Sequence, residues 1–344
     1  VVQSSLKNAS TATIFGRVTD NVKVAEVTVD GQPVMINSDG SFSTEGYIPR
    51  AGREAEVIAY DLKGNQSSQT LFLTRQDTQE AQGPVFASLN PSGKRVKSNP
   101  NALALIIGVA DYENTNAKAI YADKDAQTFY DYALLKLGVP AANIKELVND
   151  NADEVEILKA VKTWLGRTAK YGQSDIYIYF AGHGLASDDG EKMYLLPYDG
   201  SPQFLDRTAI SKFELFNDIA SANPRSVTVF LDTCYSGTTR GPNMLVASRP
   251  IVIKAKEQAI PDNFTVFTAA AGDQTANPLQ EAEHGMFSYF LMKGMEGDAD
   301  ANNDNQITAG ELHAYVEENV IQQSSGSQTP DLQGDADRVI VQFN

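Results

Sequence analysis

The sequence predicts an α/β domain built on an open, mostly parallel sheet flanked by helices, preceded by a small all-β sandwich. Three observations carry that expectation. From about Ala12 to Arg75, short alternating strands are broken by Asp30-Gly31, Asp39-Gly40 and Lys63-Gly64-Asn65, turn sequences that supply positive φ. From Asn101 onward, strands alternate with amphipathic helices, the pattern of a parallel sheet with helices on both faces. Two of these strands, Asp175–Ala181 and Val227–Leu231, are near-continuous apolar runs and so are buried on both faces. They end in Gly182-His183-Gly184 and in Asp232-Thr233-Cys234, and ligands of open α/β sheets sit at such carboxyl ends.

Taken in order, residues up to about Leu6 show no pattern and are expected to fray. Strands are expected at Ala12–Val18, Val24–Val29, Gln32–Ile36, Ser41–Thr44, Ala55–Tyr60 and Gln69–Thr74, making 1–75 one sandwich. Its Asp39-Gly40-Ser41-Phe42 turn and its corner Ala59-Tyr60-Asp61-Leu62-Lys63-Gly64-Asn65 resemble those of bacterial immunoglobulin-like (Ig-like) domains. Such a sandwich serves as a spacer or as a binding module, and the fold does not choose between them. Residues 76–100 are polar, with Gly83-Pro84, Pro91, Gly93 and Pro100, and read as a linker. The second domain, 101–344, opens with strand Ala102–Val109 and helix Ala126–Leu137. Strand Ile144–Val148 follows, then a helix capped by Asp153 and running to about Thr168. After the Ile176–Ala181 strand come a hairpin at Met193–Pro197, a helix at Ser211–Ala220, the strand before Cys234 and a strand at Asn263–Ala269. Helices at His284–Met295 and Thr308–Glu318 and a strand at Arg338–Phe343 complete the chain.

At 344 residues, 42% hydrophobic and 21% charged, the chain has room for two cores, and no apolar run approaches a membrane span. The net charge of -16 leaves no basic face for nucleic acid and favours cationic substrates and calcium. No signal peptide is visible at Val1, and a start without Met fits a processed or trimmed N-terminus. Cys234 is the only cysteine, so no intramolecular disulfide forms.

A lone Cys is most often a small buried hydrophobe, and a lone His a satisfied side chain. Here one of only three His and the only Cys both stand at glycine-flanked strand ends. A thiol reacts as thiolate, and an imidazole can take its proton. Backbone N–H groups at Gly184 and Cys234 are candidates for an oxyanion hole. His284 and His313 lie in helix-like stretches and read as structural.

Tyr179-Phe180-Ala181-Gly182-His183-Gly184 and Leu231-Asp232-Thr233-Cys234-Tyr235-Ser236-Gly237 resemble the two catalytic motifs of caspase-like cysteine peptidases, with bacterial metacaspase-like members the nearest pattern. Ile106–Tyr112, Ala122–Ala126, Thr268-Ala269-Ala270 and Gln328-Thr329-Pro330 extend the resemblance across 101–344. It implies a Cys234 nucleophile and a His183 general base and acid, acting as a dyad. It also implies that Asp232, with Asp125 or else Asp123 at the first helix, lines the pocket for the residue before the cut. Two carboxylates there favour Arg or Lys. A carboxylate in a first helical turn is also what the helix dipole favours, and Asp232 could simply bond its loop. Arg240, Arg249, Lys254 and Lys256, in the long connection after Cys234, and Arg95 in the linker are candidate self-processing sites.

Residues 300–311 fit the spacing of a calcium loop: Asp300, Asn302, Asp304, the Gln306 carbonyl, Thr308 and Glu311, with Asn305 at the usual glycine position. A helix-capping acidic loop is the alternative. The calcium site implied by metacaspases, downstream of the histidine, lacks its early Asp in Met193–Asp199, and Asp188 and Asp189 form at most a different site. The expectation is a metacaspase-type endopeptidase acting on polypeptides after Arg or Lys, with calcium structural or activating and no organic cofactor. The alternative is a latent or inactive module serving as a scaffold. The sandwich and calcium loop favour a periplasmic or secreted setting over the cytoplasm, and no motif specifies an oligomeric state.

Overall fold

The computed structural model describes all residues except 1, 9–10, 22–23, 49–51, 75–85, 188, 234–258 and 272–273. Among the described residues the chain divides into two compact units, one of residues up to Thr74 and one beginning at Phe86.

The first unit is all β: β1 (Val2–Asn8), β2 (Thr11–Arg17), β3 (Val24–Val29), β4 (Gln32–Pro33), β5 (Ser41–Tyr47), β6 (Arg53–Asp61) and β7 (Gln66–Leu73). They form two antiparallel sheets, β1-β2-β5 and β4-β3-β6-β7. Alternation puts Ala12 and Ile14 of β2, and Ala55 and Val57 of β6, into one core with Val27, Phe42 and Leu73. The expected fray at the N-terminus is not found: β1 pairs with β2 from Val2↔Gly16 to Asn8↔Thr11. Its polar sequence carries little alternation, and the partner strand supplies the order.

The second unit holds β8 (Leu103–Gly108), α1 (Ala122–Leu135), β9 (Ile144–Val148), α2 (Glu154–Leu158), α3 (Gly166–Thr168), β10 (Asp175–Ala181), β11 (Gly184–Ala186), β12 (Met193–Leu195) and α4 (Leu205–Thr208). β13 (Ile210–Ser211), α5 (Lys212–Ala220), β14 (Ser226–Asp232), β15 (Phe264–Thr268), β16 (Pro278–Leu279) and β17 (His284–Gly285) follow. α6 (Met286–Lys293), β18 (Gln306–Thr308), α7 (Ala309–Gln323), β19 (Asp331–Gly334) and β20 (Val339–Gln342) end the chain. α2 and α3 are joined by a π-helical stretch, Lys159–Leu165, so the expected single helix runs through a widened turn. The Asp153 carboxylate caps it, accepting the Glu156 N–H at 2.7 Å.

Six strands form the central sheet in the order β19-β15-β14-β10-β8-β9. All neighbours are parallel except β19, which pairs antiparallel with β15 through Thr268↔Asp331. Every residue of β8 is buried, so both faces are covered. On one face Phe129 of α1 stacks on Tyr179 with centroids 4.3 Å apart and also meets Phe230. Among the described residues no helix is long and apolar enough to cross a membrane.

Residues 86–100 are part of this second unit, which corrects their reading as linker. Phe86 packs edge-on against Tyr289 at 5.5 Å and against Phe290. The Tyr289 hydroxyl donates to the Ala87 carbonyl at 2.7 Å, Asn90 N–H donates to Glu296 at 2.6 Å, and Lys136 Nζ donates to the Lys94 carbonyl. Val96 bridges Phe343. One aromatic and a series of backbone bonds pin a segment whose composition alone looks loop-like.

Candidate active site

β10 and β14 lie side by side in parallel, in register from Asp175↔Ser226 to Ala181↔Asp232. Their last pair stands two residues before His183 on one strand and two before Cys234 on the other. Cys234 lies outside the described residues, as do Arg240, Arg249, Lys254, Lys256 and Asp188. Beyond the last pair, Gly182 N–H donates to the Asp232 carbonyl at 3.3 Å. A Cβ at Gly182 would come within 2.9 Å of the Tyr112 hydroxyl, so the bare backbone lets the strand end meet that side chain.

His183 is buried, 1% exposed. Its ring stacks on Tyr112 with centroids 4.9 Å apart and planes at 23°. Its backbone N–H donates to the Tyr112 hydroxyl at 2.7 Å, and its carbonyl accepts from Leu196 N–H at 3.0 Å. Tyr112 follows β8, so the sheet neighbour of β10 positions the imidazole. Gly184 opens β11 and pairs with Leu195 of β12, both buried.

The two expected pocket carboxylates are fully buried, 0% exposed each. Asp125 sits in α1 beneath the end of β8. Gly108 permits that approach, since a Cβ there would fall 2.5 Å from both the Ala122 carbonyl oxygen and the Ala126 Cβ. The Asp125 side chain leaves its helix: Oδ1 lies 2.6 Å from His284 Nδ1, and Oδ2 accepts the Gly285 N–H at 2.8 Å. Asp232 Oδ2 accepts the Ser288 hydroxyl at 2.5 Å, and Ser288 Oγ lies 2.6 Å from the Tyr179 hydroxyl. Both carboxylates therefore hang on one short stretch, His284–Ser288, where β17 passes into α6. Asp123 takes another place: its carboxylate accepts from Lys124 N–H at 2.9 Å and from Asn149 Nδ2 at 3.3 Å.

The sequence places His284 in a helix, but α6 begins only at Met286, because His284 and Gly285 pair with β16 through Leu279 and Pro278. The glycine directly after His284 is the local signal that the helix starts later. His313 has a structural setting, Nε2 at 3.3 Å from the Pro330 carbonyl oxygen. Gln328 is buried and ties the end of β15 to the segment before β16. Its Nε2 donates to the Ala269 carbonyl at 2.8 Å, and its Oε1 accepts the Asn277 N–H at 2.7 Å.

The 300–311 loop satisfies itself. Asp300 accepts from Asp304 and Asn305 N–H at 3.1 Å each, and Asn302 Oδ1 accepts from Asp304 N–H. Asp304 accepts from Gln306 N–H at 2.8 Å, and Gln306 itself pairs with Gln342 of β20. Glu311 and Thr308 close a reciprocal capping box at the start of α7. Among the described residues no three His, Cys, Asp or Glu side chains converge on one metal position. Glu311, the last of the expected donors, bonds the Thr308 N–H and hydroxyl in this cap at 2.9 Å each. Asp189, near the histidine, is held in its turn by Ser187 and the Glu191 N–H, and the Ser187 hydroxyl, its strongest partner, holds its carboxyl below the usual range.

The caspase-domain description matches residues 101–339, and that of glucodextranase domain B matches residues 2–76. No curated protein matches the chain. A crystal structure of a protein from Geobacter sulfurreducens shares 17% identity at a TM-score of 0.50, covering 69% of this chain and 94% of that one. Caspase-1 from Spodoptera frugiperda shares 12% identity at a TM-score of 0.47, covering 75% and 99%, and pro-sf-caspase-1 shares 12% at 0.43, covering 77% and 96%. The first of these likenesses shows a common fold. The match over 101–339 spans more than half of the sequence and takes in His183, Asp125, Asp232 and Cys234, so the chain belongs to the caspase-domain family of cysteine peptidases.

Proposed function

We propose that the chain is a cysteine endopeptidase of metacaspase type that cuts polypeptides after Arg or Lys. The observation that carries this reading is the pair of buried carboxylates, Asp125 and Asp232, fastened to one stretch at the strand end that leads to Cys234. The Cys234 thiol gives its proton to His183 and attacks the scissile carbonyl as the thiolate, and His183 passes the proton to the leaving amine as the C–N bond breaks. Water, deprotonated by His183, then cleaves the thioester and restores the thiol. Gly184 and Cys234 N–H groups face the oxyanion. Asp125 and Asp232 receive the cation of the residue before the cut, and Asp123, bound to Asn149, has the lesser part. Peptides ending in Arg, Lys or Asp before a fluorophore, tested with and without calcium and with Cys234→Ala as control, check this. Arg and Lys cleavage that disappears in Cys234→Ala is expected, and Asp-only cleavage overturns the pocket assignment.

Burial favours a second reading, a latent module. His183 at 1% and both carboxylates at 0% exposure leave a substrate no direct approach to them. An enzyme in that state needs an opening step, and a chain that never opens serves as a scaffold. Self-cleavage at Arg240, Arg249, Lys254 or Lys256 supplies such a step. Cutting at Arg95 is less suited, because the neighbouring Lys94 carbonyl and Val96 are held on the domain. Purified wild-type chain is expected to yield fragments ending in the 240–256 region, and the same fragments from Cys234→Ala rule self-processing out. Calcium enters this reading only if Glu311 exchanges its cap for the ion. A periplasmic or secreted setting, where calcium is plentiful, accompanies it and is checked by cell fractionation.

A further inference from the structure

His284 lies far from the candidate dyad in sequence, and nothing in the dyad chemistry calls for it. Yet it is 8% exposed, and its Nδ1 meets Asp125 Oδ1 at 2.6 Å. The Gly285 N–H takes the other oxygen of the same carboxylate at 2.8 Å. These two bonds, one on each oxygen, fix the carboxylate plane. Four residues after His284, on the first turn of α6, Ser288 bonds Asp232 at 2.5 Å while its oxygen meets the Tyr179 hydroxyl at 2.6 Å. Tyr179 is on β10 and is itself stacked on Phe129. The two carboxylates come from α1 and β14, elements with no direct covalent reason to share an orientation. The 284–288 stretch gives them one. Recognition of a guanidinium depends on carboxylate geometry as well as charge, because its fork binds two oxygens in a plane.

We propose that His284 is a specificity-positioning residue: with the Gly285 N–H it orients Asp125 for the substrate's side-chain cation, and it acts through Asp125 rather than on the reacting atoms. The inference rests on the reading of Asp125 and Asp232 as the pocket for Arg or Lys. The test is a binding measurement on the full chain carrying Cys234→Ala and cut at a foreign protease site placed between Arg249 and Lys254, so that the chain is opened as self-cleavage would open it and no turnover intervenes. Fluorescein-labelled hexapeptides with either Arg or its uncharged isostere citrulline before the scissile bond are titrated by anisotropy. The Cys234→Ala chain is expected to prefer the Arg peptide. Adding His284→Leu, which keeps bulk and removes the donor, lowers Arg affinity about tenfold, the effect of one lost hydrogen bond to a charged group, and leaves the citrulline peptide unchanged. Adding His284→Asn instead, whose amide nitrogen stands where Nδ1 stood, restores most of the preference. A merely structural histidine would weaken both peptides together and would not be rescued by Asn. If Arg is preferred but His284→Leu leaves that preference intact, the positioning role is overturned and the pocket reading survives. If Arg is never preferred over citrulline, the pocket reading falls and the proposal with it.

Discussion

Tyr112 accepts the His183 backbone N–H while its ring lies against the imidazole, so a single side chain holds both the main chain and the ring of the candidate base. Tyr112→Phe keeps the stack and removes the acceptor from a buried N–H. A cost of about 1–3 kcal/mol in urea denaturation is expected, the range for a buried donor left without its partner. On Arg peptides the same substitution is expected to lower kcat more than it raises KM, since it touches the base and not the pocket. Gly108 is equally exacting for a different reason. A methyl group there would stand 2.5 Å from the Ala122 carbonyl oxygen, and that oxygen belongs to the helix that carries Asp125. Gly108→Ala is expected to cost about 1–3 kcal/mol by overpacking and to lower the Arg preference as α1 shifts. A variant with unchanged melting and unchanged preference would show that the strand end and helix are not in this contact.

The helix α7 begins on a capping box between Thr308 and Glu311 that sits inside the calcium-loop spacing, so an ion taken up there would meet a carboxylate already in use. Thr308→Ala is expected to cost about 1 kcal/mol without calcium, the usual value of a lost cap. If calcium recruits Glu311, added calcium raises the melting temperature of the wild-type chain, and a flat response across millimolar calcium removes the ion from the loop. The loop also shows what a sequence can and cannot disclose. Oxygen spacing at 300–311 is written locally and reads equally as a metal loop or a cap. Strands β8, β10, β14 and β15 are legible because largely apolar runs flanked by turns have few other fates. The candidate dyad is legible for a related reason, since a His and a Cys each stand among small turn-forming residues just past an apolar run. β1 and β19 are not legible, because their order comes from partner strands remote in sequence. The same holds for the clamp on Asp125, where His284 and Asp125 are separated by 159 positions and no periodicity links them.

At the scale of the second unit, the sheet carries its candidate chemistry at the carboxyl end and a charged fastening at the amino end. Asp175, the first residue of β10, accepts from Arg225 Nε at 2.9 Å, from the Ser226 hydroxyl at 2.7 Å and from Asn99 Nδ2 at 2.8 Å. One carboxylate thus joins β10, β14 and the segment 86–100. Burial alone would raise its pKa, but the bonds from Arg225 and Ser226, with the Arg225 charge, outweigh burial and hold it below 3.8. A carboxyl depressed in the fold contributes stability that is present above its unfolded value near about 3.9 and is lost as pH falls through the folded value. Glu146 and Glu154 act in the opposite direction. Burial first, then Asp131 for Glu146 and Asp199 for Glu154, pushes their carboxyls above 4.5, so they favour the fold as pH falls through those raised values, a higher window than that of Asp175. Acid unfolding of the wild-type chain mixes the two signs, and a difference measurement separates them. Asp175→Asn is expected to lower stability by about 2 kcal/mol at pH 7, a figure kept modest because the Arg225 side chain is 60% exposed. The deficit relative to wild type should stay constant from pH 7 to 5 and shrink below pH 4, where the native Asp175 takes up its proton. Urea midpoints at pH 7, 5 and 3.5 for both proteins check this. A deficit that grows toward acid would mean that Asp175 is not the depressed group and that the amino end of the sheet is fastened by something other than its charge.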